Sequence, residues 1–89
     1  MSIESTLDER GRTHGDYADQ ARAAQFMKQL LRACPRWHGL SLPQKESVEL
    51  ICMKLSRVVH GNPDEPDHWR DIAGYSQLIV RELENEKRD

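Results

Sequence analysis

The sequence predicts an all-α protein, a compact bundle of three main helices preceded by a short N-terminal helix. Strand signals are nearly absent, because no segment alternates apolar and polar residues over several positions and β-branched residues are sparse. Apolar residues recur instead with the period of about 3.6 that is typical of amphipathic helices. At 89 residues, with 37% hydrophobic and 31% charged residues, the chain is expected to form one helical domain over residues 1–89.

Glycine and proline separate the first two predicted helices from the rest of the chain. The first helix is expected over Ser2–Arg10, which makes residues 1–10 a short N-terminal helix, and Gly11 is expected to end it. The second helix is expected over Asp16–Ala33, with the aspartate as its N-cap and Pro35 as the stop signal. Apolar residues cover more than half of its circumference, which predicts that it is covered on more than one side.

The third and fourth helices are predicted to form an antiparallel hairpin. The third starts at Ser41, with Gln44 completing a capping box, and ends at Gly61 as a left-handed cap. The fourth starts within residues 64–66 and runs to a charged tail, residues 82–89. A short loop joins the two apolar stripes, which favours close antiparallel packing.

The apolar stripes predict both a core and an association surface. The core is expected to contain Met27, Leu31, Ile51, Leu55, Trp69 and Ile72. Leu50, Met53 and Leu78 lie outside the stripes. Together with the broad apolar surface of the second helix, they predict a homo-oligomer of closed symmetry.

Composition also limits the partners and the location. The formal net charge of -2 argues against general nucleic-acid binding, which needs a basic surface to neutralise phosphates. Two cysteines are too few for a disulfide framework, and no apolar run is long enough for a membrane span or a signal peptide. We therefore expect a cytoplasmic protein with no membrane partner.

Polar residues that the predicted core does not need are the candidates for a ligand site. A glycine just before the second helix is preceded by hydroxyl, imidazole and arginine donors, a setting in which a phosphate can be held. Basic residues of the third helix would add phosphate donors, and Tyr75 or Trp37 would stack on a base. The candidate ligand-binding residues are Arg12, Thr13, His14, Asp16, Lys54, Arg57, Asp67, Asp71 and Tyr75. The other three histidines are expected to be ordinary surface or capping residues, since their spacing does not suggest zinc binding.

Four acidic residues offer a second kind of site. Glu46 and Glu49 are three residues apart on the third helix, and Asp67 and Asp71 are four apart on the fourth. Such pairs either have a structural role, as a solvated acidic face or as salt bridges across the hairpin, or bind Mg²⁺, which takes one or two carboxylates together with substrate phosphates. The residue types leave both alternatives open.

Three stretches of the chain resemble a known family. They are RGRTHGDY (residues 10–17), ELICMKLSRVVHG (residues 49–61) and DHWRDIAGYSQL (residues 67–78). They resemble a family of short, mostly phage-encoded proteins that is described as a domain of unknown function and is similar to the nucleotide modification associated domains. The resemblance covers roughly residues 8–83. It implies a nucleotide-related role in a host cell cytoplasm and marks Gly74 as a recurring position beside the candidate residues.

A fainter resemblance is to the all-α nucleotide pyrophosphohydrolases of the MazG-like group. Those proteins bind magnesium through acidic pairs on two antiparallel helices and work as oligomers. Glu46 and Glu49 fit the first pair, whereas Asp67 and Asp71 depart from the family pattern because they are four residues apart rather than three.

Three functions follow as hypotheses. The first is a binding protein that holds a nucleotide or a nucleotide-derived signal, cyclic nucleotides included, and sequesters it as an anti-defence sponge, with no cofactor and no catalysis. The second is a Mg²⁺-dependent nucleotide pyrophosphohydrolase, and the third is a structural or protein-interaction module. The first requires the loop before the second helix to fold back, so that His14 meets Arg57 and Asp71 in one pocket.

Overall fold

Four α-helices and no strand make up the part of the chain described by a computed structural model, residues 2–88. Met1 and Asp89, the last residue of the predicted tail, lie outside the described residues. The elements are α1 (Ile3–His14), α2 (Tyr17–Arg32), a 3-10 helix (Pro35–Gly39), α3 (Leu42–His60) and α4 (Pro66–Arg88). The predicted all-α class and the antiparallel pairing of the last two helices are confirmed. No helix within the described range is long and apolar enough to cross a membrane.

The predicted helix starts are confirmed by their caps. The Asp16 carboxylate accepts a hydrogen bond from the backbone N–H of Asp19 at 3.2 Å and so caps α2. At the start of α3, the Ser41 hydroxyl accepts from the N–H of Gln44 at 3.2 Å, and the Gln44 side chain accepts from the N–H of Ser41 at 2.9 Å. This reciprocal pair is the predicted capping box.

The predicted end of the first helix is wrong. α1 continues through Gly11 to His14 and ends at Gly15, whose N–H donates to the Gly11 carbonyl at 2.9 Å. Gly15 has φ 86° and ψ -176°, a conformation that is essentially restricted to glycine. A glycine inside a helix costs only about 1 kcal/mol relative to alanine, so Gly11 does not stop the helix.

Two further expectations about helix ends are corrected. Gly61 follows α3 with φ -119° and ψ -131°, so it is not the left-handed cap that the sequence suggested. α4 continues through the charged segment as far as Arg88, because glutamate, lysine and arginine are good helix formers. The 3-10 helix after Pro35 was not predicted, and it buries Trp37.

The three longest helices form one layer with α3 in the middle. The Ser56 hydroxyl of α3 donates to the backbone carbonyl of Gln20 in α2. The Ser47 hydroxyl, on another side of α3, donates to the backbone carbonyl of Tyr75 in α4 at 3.3 Å. α2 and α4 each pack extensively on α3 but make no substantial contact with one another. One side of the layer is therefore left uncovered.

The predicted core is wrong for Leu55 and Trp69, which are 38% and 50% exposed. Their stripes face the uncovered side of the layer instead of a third helix. The buried apolar residues are Ala24, Trp37, Cys52 and Val58. We use the term open face for the exposed apolar side chains on this side of the layer, namely Phe26, Leu30, Leu55, Val59, Trp69, Val80 and Leu83.

Candidate functional site

The end of α1 packs directly against the end of α3. The backbone N–H of Asn62 donates to the Thr13 carbonyl at 2.8 Å. A side chain at Gly61 would overlap the backbone of Thr13, and a side chain at Gly15 would overlap the backbone of His60. Both glycines are thus needed for this close approach, which brings the first loop back over the end of α3.

A buried histidine ties the start of α4 to the same place. His68 is only 2% exposed, and its Nε2 lies 3.0 Å from the Thr13 carbonyl oxygen. A carbonyl oxygen can only accept, so Nε2 carries the proton. The ring of His14 lies beside it, with the centroids 5.4 Å apart. The expectation that His68 is an ordinary surface or capping histidine is wrong, since it joins α1 to α4.

An ion pair joins α3 to α4 next to the histidines. The Lys54 ammonium lies 2.7 Å from a carboxylate oxygen of Asp71. The Lys54 side chain is 10% exposed, whereas that of Asp71 is 45% exposed. The hydrogen bond from Lys54 lowers the pKa of Asp71; loss of hydration opposes this, and the charges of Lys54, His68 and Arg57 add to it. For Asp71, the cross-hairpin salt bridge is the alternative that the structure contains.

Arg57 contributes a positive charge that no carboxylate neutralises directly. Its Nε donates to the side-chain oxygen of Gln20 at 3.3 Å, which directs the guanidinium along α2. Within residues 2–88, no carboxylate oxygen lies within 4.0 Å of its nitrogens. Arg57 is half-buried, so water screens its charge incompletely.

The electrostatics of the site are most evident at His14. The pKa of His14 is lowered from 6.5 to about 4, first by loss of hydration and then by the positive charges of Arg57, His68, Lys54 and Arg10. The imidazole is therefore neutral at pH 7. We use the term polar cluster for His14, Lys54, Arg57, His68 and Asp71.

Three further candidates, which the sequence assigned to the first loop, lie outside the polar cluster. The Thr13 hydroxyl donates to the carbonyl of Glu9 at 3.1 Å, so the backbone of Thr13, not its side chain, takes part in the site. The Asp16 carboxylate caps α2 and is not available as a free ligand group. Arg12 is exposed on α1.

The candidates of α4 separate into two groups. Asp67 points outward and pairs with Arg70 at 2.9 Å on the exposed surface. Tyr75 is half-buried and, with Asp71 and Gly74, lines a shallow hollow of about 360 Å³. No atom lies within 4 Å of where a Cβ of Gly74 would be, so close helix packing within the chain does not explain this glycine.

The four acids proposed as magnesium ligands do not form a metal site in the described residues. Glu49 pairs with Arg32, Asp67 with Arg70 and Asp71 with Lys54, while Glu46 is exposed; the pairs are at separate places. Between residues 2 and 88, no group of three or more His, Cys, Asp or Glu side chains is arranged to hold a metal ion.

Sequence reasoning identified four members of the polar cluster and missed His68. The available signal was spacing, because His68 precedes Asp71 by three residues and therefore shares a face of α4 with it. What the cluster can do chemically follows from its composition: one unpaired guanidinium, one buried ammonium with its counter-ion and two imidazoles. Comparison with protein-family models, with curated proteins and with solved structures gives no match to this chain.

Proposed function

We propose that the polar cluster binds a phosphate group of a small ligand, a nucleotide or a nucleotide-derived signal, and that the protein holds this ligand without converting it. The observation that carries the proposal is the charge of Arg57, which has no carboxylate within ion-pair distance although the described chain contains many exposed acids. The neighbouring His14 is kept neutral. A half-buried guanidinium beside an imidazole whose protonation is disfavoured is a setting that favours the binding of an anion.

The side chains of the polar cluster would contribute to phosphate binding in different ways. A guanidinium presents its N–H groups in a planar fork that matches two phosphate oxygens. In Arg57, Gln20 occupies Nε, which leaves the terminal nitrogens for the ligand. A phosphate dianion would also favour protonation of His14, so binding would create a second cation at the site.

The hollow beside Asp71 would hold the rest of the ligand. The ring of Tyr75 offers a stacking surface, and stacking of a base on an aromatic side chain is worth about 1–3 kcal/mol. Gly74 leaves the α4 backbone open to close approach, and Arg70 and Arg81 lie on the walls of the hollow. A base in the hollow with its phosphate toward Arg57 is the arrangement that we propose.

Sequestration is favoured over hydrolysis by the positions of the acids. Mg²⁺-dependent pyrophosphate hydrolysis needs several carboxylates that converge on the metal, and the described acids are separated. Asp71 is already the counter-ion of Lys54. The resemblance to nucleotide-related phage proteins contributes the expectation that the ligand is a nucleotide and that its role is anti-defence.

Calorimetric titration of the purified protein tests the proposal. The probes are inorganic phosphate, nucleoside mono- and triphosphates and cyclic dinucleotides, each with and without Mg²⁺. At least one nucleotide is expected to bind without Mg²⁺ and to be recovered unchanged by chromatography. Arg57→Ala should weaken binding by at least about tenfold, or about 1.4 kcal/mol. Arg22→Ala is the matched control, since Arg22 is an exposed arginine that pairs with Asp19 on α2.

Three results would count against the proposal. Absence of binding to every probe contradicts it, as does an equal loss of affinity in Arg57→Ala and Arg22→Ala. Turnover that requires Mg²⁺ and disappears in Asp71→Asn would establish the hydrolase alternative instead.

A further inference from the structure

We propose that the open face binds the open face of a second copy of this chain, so that the protein is a two-layered dimer with three long helices from each copy. The proposal concerns the side of the layer away from the unpaired Arg57 and does not depend on the identity of the ligand.

The geometry of α3 shows that the exposed apolar residues share one side. Ser56 points toward α2 and Ser47 toward α4, as their hydrogen bonds show. At 100° per residue, Leu55 and Val59 project between these two directions, whereas Arg57 projects from the far side of α3. Leu55 is 38% exposed and Val59 74% exposed, so neither neighbouring helix covers them.

The two outer helices extend the same apolar surface. Phe26 and Leu30 of α2 are 65% and 70% exposed, and they lie on the edge of α2 that adjoins Leu55. Val80 and Leu83 occupy the corresponding edge of α4. The open face thus crosses all three helices, and the exposed Asp19 lies on the same stripe of α2 as Phe26 and Leu30.

A groove lies between α3 and α4 beside the open face. Its volume is about 810 Å³, and Val48, Ile51 and Ile79 line it together with Leu40 after the 3-10 helix and Arg36 within that helix. An apolar groove of this size beside exposed apolar side chains provides space into which the side chains of a partner can pack.

The surface area of the chain matches the requirement for a dimer. Its accessible surface is 6685 Å². A compact monomer of 10.3 kDa is expected to expose about 5,400 Å². The excess, roughly 1,300 Å², is more than the roughly 800 Å² that each partner buries in a stable interface. The radius of gyration of 15.4 Å also exceeds the value of about 12 Å that is expected for a compact chain of this length.

Three arguments favour a second copy of this chain as the partner that covers the open face. Domains bury their helices between two layers, and the described chain supplies one layer. Only a few apolar residues are buried within it, so the second layer is needed for folding, and another copy is present whenever the chain is made. A face made of apolar side chains can also pack against its own copy, because a two-fold interface brings the same patch of both subunits together.

The residues proposed for the dimer interface differ from those that led the sequence to predict a homo-oligomer. Leu50, Met53 and Leu78 project away from the open face. Leu78 and Val80 lie on opposite sides of α4 although both are exposed, by 55% and 42%. They provide a matched pair of variants on one helix.

Light scattering of the wild type, Val80→Glu and Leu78→Glu tests the interface. Each protein is measured from about 1 to about 100 µM. The wild type and Leu78→Glu are expected to be dimers, and Val80→Glu should raise the dimer dissociation constant by at least about 100-fold. Leu30→Glu is a second variant on another helix and should behave as Val80→Glu does.

The thermal unfolding of the wild type covers the case in which both open-face variants fail to fold. A dimer that unfolds with dissociation has a melting temperature that rises with protein concentration. A helical wild-type monomer at about 100 µM with a concentration-independent melting temperature would overturn the proposal and indicate an unlike partner or none. Dissociation in Leu78→Glu with intact dimers in Val80→Glu would also overturn it.

Discussion

The ammonium group of Lys54 is buried and lies 2.7 Å from a carboxylate oxygen of Asp71, which is half-exposed. This asymmetry determines how each residue depends on the other. Without Asp71, the lysine would keep a charge in a poorly hydrated place, whereas without Lys54 the aspartate would still be solvated. The two residues should therefore respond differently to substitution.

We expect Asp71→Asn to destabilise the protein more than Lys54→Met does. Asp71→Asn leaves a buried charge unpaired and should lower the melting temperature by more than about 5 °C. Lys54→Met keeps the apolar part of the side chain and removes the buried charge, so its melting temperature should stay within about 2 °C of the wild type. Calorimetry at pH 7 measures both.

Asp67→Asn is the control for a lost carboxylate on α4. Asp67 pairs with Arg70 on the exposed surface, and exposed pairs contribute little. Its melting temperature should not change. A larger loss in Lys54→Met than in Asp71→Asn would show that the ion pair is not organised around a buried lysine.

His14 should make the protein sensitive to mild acid. Its pKa is about 4 in the folded state and 6.5 ordinarily, so the unfolded state binds more protons below pH 6.5. Stability should fall as the pH is lowered from about 6.5 to about 4, with no further contribution from His14 below that. Asp71 acts at lower pH. Because its pKa is lowered, the ionised carboxylate stabilises the fold above the ordinary value of 3.8, and this stabilisation is lost in stronger acid.

Urea unfolding at several pH values measures this effect. His14→Gln should reduce the dependence of stability on pH between 4 and 6.5. His38→Gln, at an exposed position of the 3-10 helix, is the control and should keep the wild-type dependence. An unchanged pH dependence in His14→Gln would contradict the placement of His14 among Arg10, Lys54, Arg57 and His68.

Much of the fold could be predicted from local signals in the sequence. The errors of that prediction lie where tertiary contacts dominate. The caps at Asp16 and Ser41 depend on neighbouring residues in the chain, so they are visible in the sequence. The end of α1 at Gly15 depends on the approach of His60, which no local pattern encodes. The stripes of Leu55 and Trp69 were identified as apolar, but the sequence alone does not show whether a helix of the same chain covers them.

The grouping of polar side chains could be predicted to the same extent. The polar positions His14, Lys54, Arg57 and Asp71 were recognised because packing did not require them, and the structure brings them together. His68 was missed because its partner is the backbone carbonyl of Thr13, which carries no side-chain signal. Asp67 shares a helix face with Asp71 but lies one turn earlier, where it pairs with the exposed Arg70 instead of Lys54.

Two glycines of the N-terminal segment should respond in opposite directions to alanine. Gly15→Ala places a side chain at a φ of 86° and against the His60 backbone, and it should cost about 2 kcal/mol or more. Gly11→Ala enters open space inside α1 and should stabilise the protein by about 0.5–1 kcal/mol. Denaturant unfolding of the two variants provides the comparison. A stabilising Gly15→Ala would exclude the close contact between α1 and α3.

Two substitutions of Gly74 test its effect on stability and its effect on ligand binding separately. Nothing lies within 4 Å of its missing Cβ, so Gly74→Ala should raise the free energy of unfolding by about 0.5–1 kcal/mol. Gly74→Phe should fold with its side chain in the hollow beside Tyr75 and lower the affinity for the nucleotide identified by titration, without loss of helix content. Circular dichroism and calorimetric titration test the two effects separately. A destabilised Gly74→Ala would indicate that another chain packs against Gly74, and unchanged nucleotide affinity in Gly74→Phe would remove the hollow from the binding site.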